Sequence, residues 1–505
     1  MLRKLVPIFA LLLGAVGLQS VRAEVTLPNI FGDHMVLQQK QANKIWGRAD
    51  AGEEILVAIA KQSVKTTSDA NGEWMVMLDP LPVGGPYELT VKASNEIKIR
   101  DVLVGEVWIC SGQSNMEWRV ANSNDPDLEM AGAKFPEIRM LNYPNVGRQE
   151  PVWTHEGADW MVCSPETVGG FSAVGYFFGR QLHQTLGVPI GLVNDAWGGS
   201  AADAWINRDL LDADEAYKPT LDRWKGMETQ YEKLAAKSEG DLTEAEKKQL
   251  QGLKRNMNGN QRPANIYNGV LKSHLGYGIK GAIWYQGESN ASRGYQYRNI
   301  FPKMISNWRD EWGQGDFPFY WVQLADFRPE QTEPGDSTWA ELREAQTMTM
   351  SKLPKTGEAV IIDVGEGKDI HPRNKVIVGQ RLARWALAND YGIAMAYQSP
   401  TFSGMEKSGS KIVLSFEHVD GGWRPFDVRE PVGFAIAGED QKFVWADAKI
   451  LKDGRIEVSS TEVASPVAVR YAWADNPVCN MFDTKGLPLT PFRTDEWKGV
   501  TADNF

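Results

Sequence analysis

The loop at residues 111–116, Ser-Gly-Gln-Ser-Asn-Met, has the strongest chemical potential in the chain, and it follows an apolar run at residues 106–110. The run predicts a short buried strand, and Gly112 permits a tight turn after it. A serine at the carboxyl end of a core strand lies where α/β folds bind ligands and present nucleophiles. Ser114 is therefore the candidate nucleophile of an ester hydrolase. The alternative is that Ser114 only caps the next helix, a common role of serine.

A serine nucleophile needs a base, and His371 is the best candidate among the six histidines. It follows a predicted strand and precedes a predicted helix, and Asp369 stands two residues before it. His274, in a glycine-rich loop before a strand, stays a second candidate. The other four histidines fall in β segments, a tryptophan-rich loop or a helix, where structural roles are expected.

Two further loops offer donors for a developing oxyanion, Asn-Asp-Ala-Trp-Gly-Gly-Ser at 194–200 and Tyr-Gln-Gly-Glu-Ser-Asn at 285–290. The candidate donors are the N–H groups of Ser114, Gly198 and Gly199, and a side-chain amide of Gln286 or Asn290. Each loop alone could be a simple strand-to-helix turn, which also favours Gly and Asn. Three such loops after core strands, with a histidine loop after a fourth, favour an esterase site.

At these residues the chain resembles the SGNH hydrolases, and within them the sialate O-acetylesterase family. The likeness is carried by Ser111-Gly-Gln-Ser-Asn-Met116, Trp197-Gly-Gly-Ser200, Trp284-Tyr-Gln-Gly-Glu-Ser-Asn290 and Asp369-Ile-His-Pro372. It extends to Phe31-Gly-Asp-His-Met-Val-Leu37 and Pro488-Leu-Thr-Pro-Phe-Arg493, nearly the whole mature chain. The resemblance implies a serine esterase that removes O-acetyl groups from carbohydrate, with sialic acid as the expected substrate and no cofactor or metal.

The chain departs from the broader class at the acid that orients the histidine. That class has the acid three residues before the histidine, where this chain has Lys368. Asp369 is what the sialate O-acetylesterase family tends to carry, and in an extended segment it would face the same side as His371. Asp363, Glu366 or a backbone carbonyl are the alternatives. The broader class also has Asp where this chain has Gln113.

The sequence indicates the identity of the acetylated sugar less clearly than the type of reaction. A sialic acid carries a carboxylate, which arginine can grip in a bidentate manner. Arg119 and Arg293 follow the nucleophile and amide loops, and Trp197 and Glu288 lie within the loops, so these four are the candidate substrate-binding residues. Two alternatives remain: an acetyl esterase of plant polysaccharide such as acetylated xylan, and a carbohydrate-binding protein without turnover.

The surrounding pattern predicts the elements that would position these residues. Residues 24–101 show short alternating strands of a small β domain, and residues 398–505 show a second β module. Between them, residues 102–397 alternate apolar strands with amphipathic helices, which predicts a parallel sheet covered on both faces. The predicted strands include residues 190–194, 281–285, 319–324 and 359–362, and the predicted helices include residues 172–186. The fold class is therefore α/β, an SGNH-type parallel-sheet hydrolase domain flanked by β-sandwich-like modules. A charged insertion at about 210–262 is expected to form a helical hairpin, a lid or spacer, in which Thr243-Glu-Ala-Glu246 is a capping box that begins a helix.

The first 23 residues read as a secretory signal peptide, with a basic start, a short apolar run and Val-Arg-Ala before Glu24. We therefore expect export to the periplasm or the extracellular space and no membrane span. This segment holds three of the 54 basic residues and none of the 65 acidic ones, so its removal shifts the formal net charge from −11 to −14. Such a charge disfavours nucleic acid as a partner. Three cysteines exclude a disulfide framework.

Overall fold

The computed structural model describes residues 24–505, so the predicted signal peptide lies outside the described residues. The N-terminal part is built of strands, several of which alternate buried and exposed side chains as predicted. They are β1 (Val36–Gln38), β2 (Asn43–Arg48), β3 (Glu54–Ile59), β4 (Gln62–Thr67), β5 (Glu73–Leu78), β6 (Gly84–Lys92) and β7 (Glu96–Gly112).

The central part alternates strands with helices. Its strands are β8 (Phe135–Asn142), β9 (Trp160–Cys163), β10 (Ile190–Asn194), β11 (Gly281–Tyr285), β12 (Phe319–Val322) and β13 (Thr356–Ala359). Its helices are α1 (Ser114–Glu117), α2 (Pro126–Gly132), α3 (Ala173–Leu186), α4 (Arg208–Asp212), α5 (Lys218–Ala235), α6 (Glu244–Met257), α7 (Asn265–Gly269), α8 (Gly294–Trp312), α9 (Thr338–Thr349) and α10 (Lys375–Asn389).

The central sheet has the strand order β13-β12-β11-β7-β10-β8-β9 and is parallel except at β9. Side chains of β7 enter two cores in alternation: Val107 and Ile109 face the core that contains α8 and α9, whereas Trp108 and Cys110 face the core that contains α3 and α10. Helices thus cover both faces of the sheet. The predicted α/β fold class is confirmed.

Strand β7 connects the N-terminal sheet to the central sheet. Its first half pairs with β6 and β1, and its second half lies between β10 and β11. The predicted boundary between residues 101 and 102 falls inside this strand of 17 residues. The end that carries the nucleophile loop is therefore held between two neighbouring strands.

The strand before His371 lies three residues earlier than predicted. We predicted residues 359–362, but β13 ends at Ala359, where its pairing with β12 stops. Val360 and Ile362 are buried in the core of the C-terminal β module instead. The apolar run therefore serves two cores, which its composition does not distinguish.

The insertion forms the expected helical hairpin of α5 and α6, around a small core of Leu234, Leu242 and Leu253. The predicted capping box of Thr243 and Glu246 begins α6. The C-terminal module has two antiparallel four-stranded sheets. They contain β14 (Thr401–Ser408), β15 (Lys411–Glu417), β16 (Phe434–Ala437), β17 (Phe443–Trp445), β18 (Asp447–Ile450), β19 (Ile456–Ser459), β20 (Ala468–Tyr471) and β21 (Phe492–Arg493).

No helix within residues 24–505 is both long and apolar enough to cross a membrane. Cys110, Cys163 and Cys479 are all free thiols.

Candidate active site

The structure brings the candidate nucleophile and base together across 257 residues of chain. The Nε2 atom of His371 lies 2.8 Å from the Oγ atom of Ser114. Ser114 begins α1, directly after the turn at Gly112, whose φ is +131°. A Cβ at Gly112 would lie 2.2 Å from the carbonyl oxygen of Tyr285, so glycine is required there both for the backbone angle and for the space.

The imidazole of His371 is held on one face by an aromatic ring. Trp118 stacks on it with the ring centroids 5.0 Å apart and the planes 13° from parallel. The other ring nitrogen, Nδ1, lies 3.6 Å from Oδ1 of Asp369, slightly beyond hydrogen-bond distance. The same oxygen accepts the backbone N–H of His371 at 2.9 Å. Burial lowers the pKa of His371, Asp369 opposes this, and Lys375 adds to the lowering. The imidazole is therefore favoured in its neutral form, which a general base requires.

The alternative acids are engaged elsewhere. Asp363 forms a two-point ion pair with Arg381, with N–O distances of 2.5 and 2.7 Å. Glu366 accepts the N–H of Arg373 at 2.8 Å. Asp369 is thus the carboxylate placed beside His371, and its orienting role stays a prediction.

The glycine loop lies against the nucleophile. A Cβ added to Gly198 would lie 3.3 Å from Cβ of Ser114, so this glycine permits the close approach. The Gly198 N–H is already donated to Oε2 of Glu117, at 2.7 Å. Gly199 has a φ of +74°, and its carbonyl accepts the hydroxyl of Ser289. The candidate oxyanion donor Gly198 is therefore next to Ser114, but its N–H is occupied by the carboxylate of Glu117.

The two candidate amides form one buried network behind the loops. Gln286 donates to the carbonyl of Ser200 at 3.0 Å and to Oδ1 of Asn290 at 2.7 Å, and it accepts the Tyr297 hydroxyl at 2.8 Å. Asn290 accepts the N–H of Ala202 and donates to the carboxylate of Asp203. Both side chains are buried and hold loops together.

The four candidate substrate-binding residues differ in their availability. Arg293 grips the buried carboxylate of Asp203 at 3.0 and 3.2 Å, so its guanidinium is occupied. Arg119 is exposed. The side chain of Trp197 is half-buried, and its backbone N–H donates to the carbonyl of Gly112. Glu288 accepts from the side chain of Asn115 at 2.7 Å, beneath the nucleophile helix.

The helical insertion contacts the glycine loop. After α6 the chain returns through Asn260 and Gln261, whose amides donate to the carbonyls of Gly198 and Gly199. These two residues also line a cavity of about 500 Å³ between the loop and the hairpin. Two exposed arginines, Arg223 and Arg255, lie on its walls, and Arg223 donates to the carbonyl oxygen of Phe505. The end of the insertion therefore contacts the glycine loop beside Ser114, a contact that its charged sequence does not predict.

His274, the second candidate base, belongs to a different buried cluster. Its Nε2 atom lies 3.2 Å from Oδ2 of Asp195, and its ring stacks on Tyr143 with centroids 4.6 Å apart. Both His274 and Asp195 are shielded from solvent. Of the two candidate histidines, His371 is the one at the Ser114 hydroxyl.

Four residues beside Ser114 and His371 escaped the sequence reasoning: Asn115, Glu117, Trp118 and Lys375. The first three lie within four residues after Ser114, and Lys375 is four residues after His371. Their nearness in sequence to the two candidates is the signal that could have found them.

A serine hydroxyl bonded to an imidazole, at the carboxyl edge of a parallel sheet, defines a serine hydrolase of the α/β class. Known proteins extend this to a family. A family model described as carbohydrate esterase, sialic acid-specific acetylesterase, matches residues 104–237 and 256–388. The chain belongs to this family of carbohydrate esterases and is a carboxylic ester hydrolase.

Relatives cover almost the whole chain. The sialate O-acetylesterase of Mus musculus is 28% identical, and the alignment covers 96% of this chain and 97% of the mouse protein. The sialate O-acetylesterase of Homo sapiens is 27% identical, with 91% and 90% covered. A crystal structure of a carbohydrate acetylesterase from Xanthomonas citri is 38% identical and covers 94% of this chain and 100% of that one, with a TM-score of 0.81.

Proposed function

We propose that this protein removes O-acetyl groups from carbohydrate by serine esterase chemistry, and that O-acetylated sialic acid is its substrate. The observation that carries the proposal is the 2.8 Å contact between Ser114 Oγ and His371 Nε2, in a chain of this esterase family. The named function of the mouse and human relatives supports sialic acid as the sugar.

In the proposed reaction, each step follows from this contact. Ser114 attacks the acetyl carbonyl while His371 takes the hydroxyl proton, which gives a tetrahedral intermediate. His371 then donates that proton to the leaving sugar oxygen, and the acetyl group stays on Ser114. A water molecule, deprotonated by His371, attacks the acetyl-serine, and acetate leaves as the proton returns to Ser114.

The oxyanion has two donors at hand. The N–H of Ser114 lies in the first turn of α1, where no carbonyl four residues earlier in the helix can accept it. The N–H of Gly198 is the second donor, once the entering acetyl group displaces the carboxylate of Glu117. In this proposal Gln286 and Asn290 support the loops, because their amide groups already bind backbone and side-chain partners.

A carboxylate-bearing sugar needs a cation within reach of Ser114. Because Arg293 is paired with Asp203, we propose Arg119, five residues after Ser114, and Arg255, which lines the cavity beside the glycine loop, as the candidates. Both are exposed, and both lie on segments that adjoin the nucleophile or the glycine loop.

The test is release of acetate from O-acetylated sialic acid and from acetylated xylan, measured side by side. We expect the wild type to prefer the sialic acid and Ser114→Ala to be inactive on both. Substituting Arg119 or Arg255 by Ala should raise KM for the sialic acid about tenfold, or about 1.4 kcal/mol, without changing hydrolysis of a neutral aryl acetate. A preference for xylan would refute the sialate assignment and leave the esterase assignment standing.

We also propose that residues 1–23 direct export and are removed after Ala23. The basic start, the apolar run and the small residue before Glu24 support this. N-terminal sequencing of the protein recovered from outside the cytoplasm should begin at Glu24. A retained Met1 in the mature protein would contradict the proposal.

A further inference from the structure

Asn115, the residue after the nucleophile, joins three parts of the chain beneath the site. Its Nδ2 atom donates to Oε1 of Glu288 at 2.7 Å and to the carbonyl oxygen of Ile370 at 3.0 Å. Its Oδ1 atom accepts from the ammonium of Lys375 at 2.6 Å. The side chain is buried, so all its hydrogen-bonding groups are satisfied by protein. The amide thus connects the nucleophile helix with the loop of His371, the loop after β11 and the start of α10.

Lys375 is fully buried, which is costly for a cation. Burial lowers the pKa of its ammonium to about 7. Glu288, Glu366 and Asp369 favour the charged form, and the ammonium in turn disfavours protonation of His371. The Nζ atom also lies 5.1 Å from the ring centroid of Tyr285, over its face. A methionine would fill the same space at no desolvation cost, so what lysine alone contributes is the hydrogen bond to Asn115 and the charge.

Glu288 completes this group of residues from the other side. One carboxylate oxygen accepts from Asn115, and the other is sealed from solvent without a hydrogen-bond partner anywhere in residues 24–505. Burial raises the pKa of this carboxyl. A carboxylate with one oxygen sealed from solvent and a fully buried lysine, joined by one amide next to a candidate nucleophile, are costly for stability.

We propose that Lys375 is a positioning residue of the esterase: its ammonium orients Asn115, and Asn115 in turn holds the His371 loop and Glu288 against the nucleophile helix. The inference rests on the proposed function of Ser114 and His371. The hydrogen bond from Asn115 to the Ile370 carbonyl is the step that matters, because Ile370 precedes His371 directly. Without it, the imidazole is free to drift from its 2.8 Å contact with Ser114.

Lys375 does not act as the base itself. Its Nζ atom is bonded to Asn115, and the group on the Ser114 hydroxyl is the imidazole of His371. The expected effect of Lys375 is therefore on the geometry and the charge state of His371, and should appear in kcat and in the pH profile more than in KM.

The test uses the full-length protein and a small aryl acetate as substrate. Lys375→Met should lower kcat at least tenfold, with KM changed less than twofold. The acid limb of kcat/KM should move to higher pH, because removing the positive charge lets the pKa of His371 rise. Asn115→Leu should lower kcat by at least as much. The double variant should be no slower than Asn115→Leu, because both changes break the same connection.

Lys368→Met is the matched control. It removes an exposed lysine from the same loop and should keep kcat within twofold of the wild type. Thermal unfolding of each variant separates lost stability from lost positioning. Normal kcat and an unshifted acid limb in Lys375→Met would overturn the inference, even if its melting temperature fell.

If Lys375→Met does not fold, Asn115→Leu tests the same connection. A normal kcat in Asn115→Leu would equally overturn the inference. Ser114→Ala, run in parallel, reports on the proposed function. Activity in Ser114→Ala refutes that function, whereas an inactive Ser114→Ala beside a fully active Lys375→Met refutes only the positioning role.

Discussion

Replacing Arg293 by Met should damage stability and leave substrate discrimination unchanged. In the sequence Arg293 was a candidate for binding the sugar carboxylate. In the structure its guanidinium makes two contacts with Asp203, at 3.0 and 3.2 Å, and a third with Gln296 at 2.7 Å. The side chain of Asp203 is only 2% exposed. Arg293 also lines the cavity beside the hairpin, but its guanidinium is engaged by Asp203 and Gln296, so we expect it to neutralise an internal charge and not to bind a ligand.

The magnitude follows from what the substitution leaves behind. Removing one partner of a buried ion pair costs about 3–5 kcal/mol, because the other charge remains buried. Asn290 still donates to Asp203 at 3.2 Å, which offsets part of this. Gln296 loses its donor, which adds about 1 kcal/mol. We therefore expect the free energy of unfolding to fall by about 4 kcal/mol near neutral pH.

The loss should depend on pH in a defined direction. Burial alone would raise the pKa of Asp203, but the charge and hydrogen bonds of Arg293 lower it below its ordinary value of about 3.9. In the wild type, the stability from this pair is present above about pH 3.9 and is lost as pH falls through the lower folded-state pKa. Without Arg293 that pKa rises above its ordinary value, so the deficit should be greatest near pH 7 and shrink toward pH 4.

Urea unfolding followed by tryptophan fluorescence at pH 7 and pH 4 measures the effect. Acetate release from a charged and a neutral acetylated sugar measures discrimination. Arg208→Met, which breaks more exposed ion pairs of the same region, is the control and should cost about 1 kcal/mol or less. If Arg293→Met had unchanged stability and a tenfold higher KM for the charged sugar, this prediction would be wrong and Arg293 would be a substrate-binding residue.

Three further predictions concern the reaction. Ser114→Ala should lose turnover with little change in stability, and even a tenth of wild-type kcat, a loss of only about 1.4 kcal/mol, would contradict its role. Asp369→Asn should lower kcat at neutral pH with little change in KM, whereas Asp363→Asn should mainly lower the melting temperature, because it breaks the ion pair with Arg381. The opposite ranking would identify Asp363 as the acid that orients His371. The kcat/KM profile should rise with pH to a plateau, with its midpoint below about 6.5, because burial and Lys375 lower the pKa of His371; a midpoint above that value would contradict the geometry.

Much of the scaffold was predictable because it rests on local patterns. The strands Ile190–Asn194 and Gly281–Tyr285 have the predicted bounds, because each is a short apolar run that is recognised from neighbouring residues. The same holds for α3, which begins after the capping Ser172 and ends at Gly187 in a left-handed conformation. Strand β13 was misplaced because its apolar run supplies two cores at once.

The sequence by itself determined which groups could do chemistry at the site. Ser114 and His371 were identified from residue type, from position after a strand and from likeness to a family. These signals lie within a few residues of each candidate, so the distance between the two in the chain did not obscure them.

Only the tertiary structure decided which partner each polar group takes. Arg293 faces Asp203 from 90 residues away, and Lys375 reaches Asn115 across 260 residues. Such pairings depend on which loops meet at the edge of the sheet, and a residue that looks available in sequence is occupied once a complementary group is buried beside it. Hydrogen-bonding capacity belongs to the residue type, but its use is settled by the packing of distant segments.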